Sequence, residues 1–139
     1  MNLDYSKINK ITINKPLKLD CGITLDKFDI AYETYGKLDE SKSNAILVFH
    51  ALSGDQFVTG INKVTGREGW WNYVVGSNLP IDTEKYFIIC ANVIGGCMGS
   101  SGPKEINPKT NKPYGLDFPV ITIKDMVLSL IHISEPTRR

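Results

Sequence analysis

The 139-residue chain has the length of one ordinary domain, and its 42% apolar share is enough to build a core. Sixteen basic and fifteen acidic residues are scattered along it for a formal net charge of +1, which leaves no electrostatic footprint for nucleic acid or anionic lipid. The longest apolar stretch, Phe87 to Met98, is broken by Asn92 and two glycines and falls far short of the roughly 20 residues of a membrane helix.

The first residues, "MNLDYSKINKITINKPLKLD", lack the order of a signal peptide, and no Asn-x-Ser/Thr sequon occurs. The cytoplasm is therefore the expected location. Cys21, Cys90 and Cys97 form no C-x-x-C pair and read as free thiols. Cys90, inside "YFIICANV", is expected to be a small buried hydrophobe. Glycines around Cys97 would expose it, but no basic neighbour is present to activate its thiol.

In chain order, residues 17 to 35 alternate apolar and polar positions through Phe28, Ile30, Tyr32 and Thr34, with a turn signal at Cys21-Gly22. They predict an antiparallel hairpin with one wet face. "AILVFHA" (45–51) and "YFIICANVI" (86–94) are continuous apolar runs between polar turns and predict parallel strands covered on both faces. Between them, Trp70, Trp71 and Val74 sit at helical spacing ahead of Pro80, which predicts a short helix. A Gly-, Pro-, Ser- and Asn-rich segment from Gly95 to about Pro119 reads as one long functional loop. Thr122 and Asp125 form a Thr-x-x-Asp capping box, which should open a helix with Ile123, Met126 and Val127 facing inward. An antiparallel start followed by buried parallel strands with helical crossovers fits the α/β class, as the N-terminal part of an α/β-hydrolase type of sheet.

In that architecture the turn after the third strand lends a main-chain N–H to an oxyanion hole, and the nucleophile sits after the fifth strand. "HALSGD" (50–55) occupies the oxyanion position. Ser53 is a poor nucleophile, because His50 and Asp55 lie too close in the chain to converge on it and the order of the three is wrong. His50 is read as a structural histidine bracing the loop. Asp55 either caps the following turn or organises a pocket floor, the solvated cap being preferred. Gly95, Gly96, Gly99 and Gly102 follow a buried strand, but no Gly-Lys-Ser/Thr follows them, so a nucleotide-binding loop is not expected. Gly99-Ser100-Ser101-Gly102-Pro103 misses a Gly-x-Ser-x-Gly elbow by one residue.

The succession "NAILVFHALSGD", "GWWNYVVG", "IDTEKYFIICANVIGGCMGSSGP" and "INPKTNKPYGLDFPVITIKDMV" resembles the N-terminal part of the homoserine O-acetyltransferase family. The resemblance runs over residues 15 to 127. It implies an α/β-hydrolase-fold acyltransferase of methionine biosynthesis that moves an acetyl group from acetyl-CoA to L-homoserine by a ping-pong route through an acyl-serine. It further implies that the Leu52 backbone N–H is one oxyanion donor and that "GGCMGSSGP" borders the active-site entrance. Acetyl-CoA would be the acyl-donor substrate rather than a cofactor, no metal is implied, and the complete enzyme would be a homodimer. The serine nucleophile, the acid, the base and the second oxyanion donor belong to later family segments that this sequence does not contain.

Residues 128–139, "LSLIHISEPTRR", do not resemble the family and read as the translation of a sequencing adapter. On that reading residues 1–127 are the family domain, residues 128–139 are a foreign tail, and His132 and Glu135 carry no function. The sheet would then be incomplete, since the strand that pairs with Ala45 to Phe49 in the family is missing. The bare apolar edge predicts aggregation or partial unfolding of the isolated chain, and without a nucleophile it is expected to be inactive. Competing readings are a homoserine or serine O-succinyltransferase, a hydrolase in which water replaces the acceptor, and a non-catalytic α/β-hydrolase-like module.

Overall fold

The computed structural model describes residues 4–107 and 109–134; Glu135 and the side chain of His132 lie outside the described residues. Among the described residues ten strands and one α-helix follow in order: β1 (Asn9–Ile13), β2 (Leu17–Lys18), β3 (Thr24–Leu25), β4 (Phe28–Tyr35), β5 (Ala45–Val48), β6 (Val75–Gly76), β7 (Ile81–Asp82), β8 (Phe87–Ala91), β9 (Ile106–Asn107), β10 (Lys112–Pro113) and α1 (Ile123–Ser134). The chain divides into two compact units, Met1–Asn9 with Tyr32–Ala91 and Lys10–Ala31 with Asn92–Arg139.

In the first unit β8 pairs antiparallel with the second half of β4, Tyr32 facing Ala91, and parallel with β5, Ala45 facing Phe87. β5 and β8 are thus the parallel strands that their apolar runs predict. The strand order is β1-β4-β8-β5, so β5 is the terminal strand. Its coverage differs from the expectation: Val48 is buried, but Leu47 is exposed and Phe49, just beyond it, is 63% exposed. β5 presents one covered face and one open edge, the arrangement that leaves backbone groups available for pairing. Val48, Val58, Val75, Ile88 and Cys90 form the core of this unit, with Tyr35, Ile46, Val74 and Ile81 packed on it. Gly36 closes the turn after β4 at φ +75°, and a Cβ there would overlap the carbonyl oxygen of Tyr86. Only glycine meets both demands.

The hairpin expected over residues 17 to 35 is divided. β2 and β3 form a two-residue ribbon, Leu17 opposite Leu25, around the Cys21-Gly22 turn, whereas Phe28–Tyr35 is a separate strand with no exposed residue. The charged positions of β4 are covered because each has a partner: Thr12 Oγ1 donates to Asp29 at 2.7 Å, and the Lys63 ammonium lies 3.0 Å from both oxygens of Glu33. The wet face expected from alternation is absent.

The helix expected at Trp70, Trp71 and Val74 is a single turn, closed by the Val74 and Val75 amides on Trp71 O at 2.9 and 3.0 Å. It ends there because Val75 is drawn into the parallel β6-β7 pair, opposite Ile81.

In the second unit the segment 95–119 is not one structureless loop. It contains the β9-β10 hairpin, Asn107 opposite Lys112, and a 3-10 turn at Gly115–Asp117. Its start is laced to the first half of β4. Ser100 Oγ accepts from Ala31 N at 2.9 Å and donates to Asn92 O at 2.6 Å, while Ser101 Oγ accepts from Asp29 N at 2.8 Å and donates to Glu105 at 2.8 Å. A Cβ at Gly102 would lie 2.5 Å from Gly96 O, so the close loop crossing there requires glycine.

α1 begins where the capping box places it. Asp125 N donates to Thr122 Oγ1 at 3.2 Å and Thr122 N donates to Asp125 Oδ2 at 2.9 Å. The inward face differs from the expectation: Asp125, Ser129 and Leu130 are buried, and Ile123 and Val127 are exposed. The reason is polar. Asp125 Oδ1 also accepts from Asp20 N at 3.0 Å, and Lys124 pairs with Asp20 at 2.7 Å, so the helix turns its capping carboxylate toward the β2-β3 turn. Among the described residues no helix is long and apolar enough to cross a membrane.

Candidate active-site turn

The site candidate lies in the first unit, at the C-terminal end of β5. Gly54 N donates to Ala51 O at 2.7 Å and closes a four-residue turn with Leu52 and Ser53 at its centre. His50 Nδ1 lies 2.7 Å from the same carbonyl, and since a carbonyl only accepts, Nδ1 carries the proton. The ring is thereby turned onto its own turn, as a brace.

Leu52 is 72% exposed. Among the described residues no acceptor is bonded to the Leu52 or Ser53 amide, and Ser53 Oγ bonds neither to His50 nor to Asp55. The structure therefore does not assemble a Ser-His-Asp triad from this segment. What it offers is main-chain N–H groups at the end of a parallel strand, held by a closed turn and facing no protein acceptor. Such donors stabilise an oxyanion because their dipoles are fixed before charge develops.

Immediately after the turn the backbone enters the core. Asp55 Oδ1 accepts from Phe57 N at 2.8 Å and Oδ2 accepts from Asn62 Nδ2 at 3.0 Å. The Asp55 carbonyl accepts from Trp70 Nε1 at 2.9 Å. Asp55 thus caps a turn, as expected, but the cap is half-buried rather than solvated. Burial pushes its carboxyl above the usual range, against the opposing pull of the Phe57 amide, His50 and Asn62. Gln56, Phe57 and Val58 follow, all buried, and Val58 N donates to the Tyr35 hydroxyl at 3.0 Å. Burial holds the Tyr35 phenol at about 12, so it stays protonated.

Cys90 is fully buried and its thiol is pushed up to about 12 by burial, which rules it out as a nucleophile at neutral pH. Cys21 and Cys97 are exposed. In the Gly-rich segment the hydroxyls of Ser100 and Ser101 are both engaged, in bonds to β4, to Asn92 O and to Glu105. Asn62, Trp70 and Tyr35 are the contributors that sequence reasoning missed. Trp70 was legible only as a helix-spaced aromatic, and nothing in the local pattern points Asn62 toward Asp55.

This topology, with antiparallel β4 beside parallel β8 and β5 and a donor turn after β5, defines a partial α/β-hydrolase fold. No family model matches the chain. It is 68% identical over 127 residues to the homoserine O-acetyltransferase of Pelagibacter ubique, covering 91% of this chain and 34% of that protein. Among solved structures, the homoserine O-acetyltransferase of Bacillus anthracis superposes with a TM-score of 0.74 at 33% identity, covering 91% of this chain and 35% of that one. Esterase E22 superposes with a TM-score of 0.74 at 30% identity, covering 91% of this chain and 36% of that one. The chain is a homologue of one segment of the homoserine O-acetyltransferases and spans about a third of their length.

Proposed function

We propose that this chain is the oxyanion-turn segment of an enzyme that transfers the acetyl group of acetyl-CoA to L-homoserine. The observation that carries the reading is the closed turn Ala51–Gly54, with its unengaged Leu52 amide, inside a stretch 68% identical to a homoserine O-acetyltransferase. In the complete enzyme a serine outside this chain attacks the thioester carbonyl of acetyl-CoA. The carbonyl oxygen becomes an oxyanion, and the Leu52 N–H is one of the donors that meets it. Collapse expels CoA as a thiolate that takes up a proton and leaves an acetyl-serine. The homoserine hydroxyl then attacks that ester, giving up its proton, the same donor meets the second oxyanion, and O-acetyl-L-homoserine leaves.

The reading extends to a cytoplasmic homodimer in methionine biosynthesis, with "GGCMGSSGP" bordering the active-site entrance. It holds residues 1–127 to be the homologous domain and residues 128–139 to be foreign, although α1 runs through residue 134. Resequencing the gene across Asp125 to Arg139 tests that boundary. A frame that continues into an amphipathic helix and a serine elbow supports it, and a genuine stop after Arg139 refutes it.

The esterase likeness favours one competing reading, in which water takes the acetyl group. The test of function is a chimaera in which this sequence replaces the matching residues of the Pelagibacter ubique protein. The proposal expects CoA release from acetyl-CoA that depends on homoserine, with little turnover of succinyl-CoA. Homoserine-independent hydrolysis would establish the esterase reading, and preference for succinyl-CoA would establish a succinyltransferase.

A further inference from the structure

The Leu52 turn is exposed, yet an oxyanion donor works only if it is held to within a few tenths of an ångström of where the charge develops. Something must fix it from behind, and the residue directly after the turn makes bonds in three directions. Through Oδ1 Asp55 holds Phe57 N, through Oδ2 it holds Asn62 Nδ2, and through its carbonyl it holds Trp70 Nε1. Asn62 is itself buried and locked: its Oδ1 accepts from Val64 N at 2.9 Å and from Thr65 N at 3.0 Å, so its amino group has to face Asp55. Both oxygens of Asp55 therefore meet donors, a pattern that an acceptor-only carboxylate satisfies and an amide cannot. Trp70 in turn is stacked on Trp71, ring centroids 5.3 Å apart, and Trp71 N donates to Val58 O at 2.7 Å.

We propose that Asp55 is a positioning residue for acyl transfer, clamped by Asn62 and Trp70 so that the turn before it holds the Leu52 N–H on the developing oxyanion. This rests on the oxyanion reading of Leu52 and goes beyond it by naming what sets the donor's geometry. Asp55 touches no reacting atom. It acts through the turn, so its loss lowers kcat while leaving substrate affinity in place.

The test uses the chimaeric complete enzyme. Asp55→Asn keeps the shape but sets an amino group against one of the two donors, and kcat is expected to fall about tenfold to a hundredfold with KM for homoserine within about twofold. Adding Asn62→Asp restores the match, because Asn at 55 can donate to the new carboxylate while its oxygen keeps Phe57 N. The double variant is expected to recover most of the lost kcat, a rescue that a general loss of stability would not show. Should Asp55→Asn fail to fold, Trp70→Phe removes the Nε1 bond to the Asp55 carbonyl, which keeps the Cys90 thiol as a donor at 4.0 Å, and is expected to lower kcat about threefold at unchanged KM.

Leu52→Pro, which deletes the N–H at a turn position that accepts proline, separates the two claims. If it lowers kcat while Asp55→Asn and Trp70→Phe do not, the positioning role is wrong and the oxyanion reading stands. If it leaves kcat intact, the oxyanion reading is wrong and the positioning role falls with it. A double variant no better than Asp55→Asn also overturns the clamp.

Discussion

Asp55 in the first unit and Asp125 in the second each place a carboxylate on main-chain amides, and the two regions differ in what is left over. Asp125 is fully buried and takes donors from Asp20 N, Thr122 N and Thr122 Oγ1, and its own amide is bonded to Thr122 Oγ1. Both Asp125 oxygens and the Thr122 hydroxyl are spent inside that junction. Asp55 is half-buried and equally engaged, but the turn it supports carries exposed, unengaged amides at Leu52 and Ser53. Local satisfaction marks a structural junction. Satisfaction behind and unspent donors in front mark a place where a ligand supplies the acceptor.

That contrast can be broken by substitution. Asp125→Ala strands two amide donors and is expected to cost about 2 to 4 kcal/mol of stability. Thermal unfolding of the chimaera measures it, with kcat per folded molecule unchanged. Asp55→Asn should show the reverse balance, a kcat loss far larger than its effect on melting. The same balance of kcat loss and melting loss at both aspartates would remove the distinction between them.

Alkaline pH probes the first unit by another route. The Cys90 thiol, ordinarily near 9.0, and the Tyr35 phenol, ordinarily near 10.0, are both held at about 12 by burial. Raised values in the folded state mean stability that is full below pH 9 and is lost as pH climbs through about 12, since the unfolded chain ionises first. Each group steepens the fall within its own window, Tyr35 less than Cys90 because it is the more open to solvent. Cys90→Ala is expected to flatten the part that begins near pH 9 while costing some core packing at neutral pH. Urea titrations of the chimaera at several pH values read both. The smallest effect belongs to Ser53→Ala, which is expected to change kcat by less than about twofold, because its hydroxyl is solvated and makes no bond to His50 or Asp55. A large loss would return Ser53 to the chemistry.

Much of this was legible in the sequence, and the misses share a cause. The apolar runs around Leu47 and Ile88 identified β5 and β8 because burial writes itself as composition. Thr122 and Asp125 marked the helix start because a capping box is local. The orientation of α1 was not legible, since Asp125 faces inward only because Asp20, more than a hundred positions earlier, offers its amide. β4 looked half-wet because Asp29 and Glu33 are polar, and their partners Thr12 and Lys63 are remote in sequence. The expected helix at Trp70 lost to a long-range competitor, Val58 O, which takes the Trp71 amide. For the site, a turn at the end of β5 was readable from "HALSGD", but the bonds behind it were not, because Asn62 and Trp70 reach Asp55 only in the folded chain.

The most direct test of the central claim is the single-turnover rate of CoA release from acetyl-CoA by the Leu52→Pro chimaera, set beside the parent chimaera and Leu52→Ala, which keeps the N–H. With a main-chain donor at residue 52, proline slows acylation about a hundredfold or more at unchanged melting temperature, and alanine remains much faster than proline. Equal acylation rates for proline and alanine would contradict the account and remove this turn from the oxyanion hole.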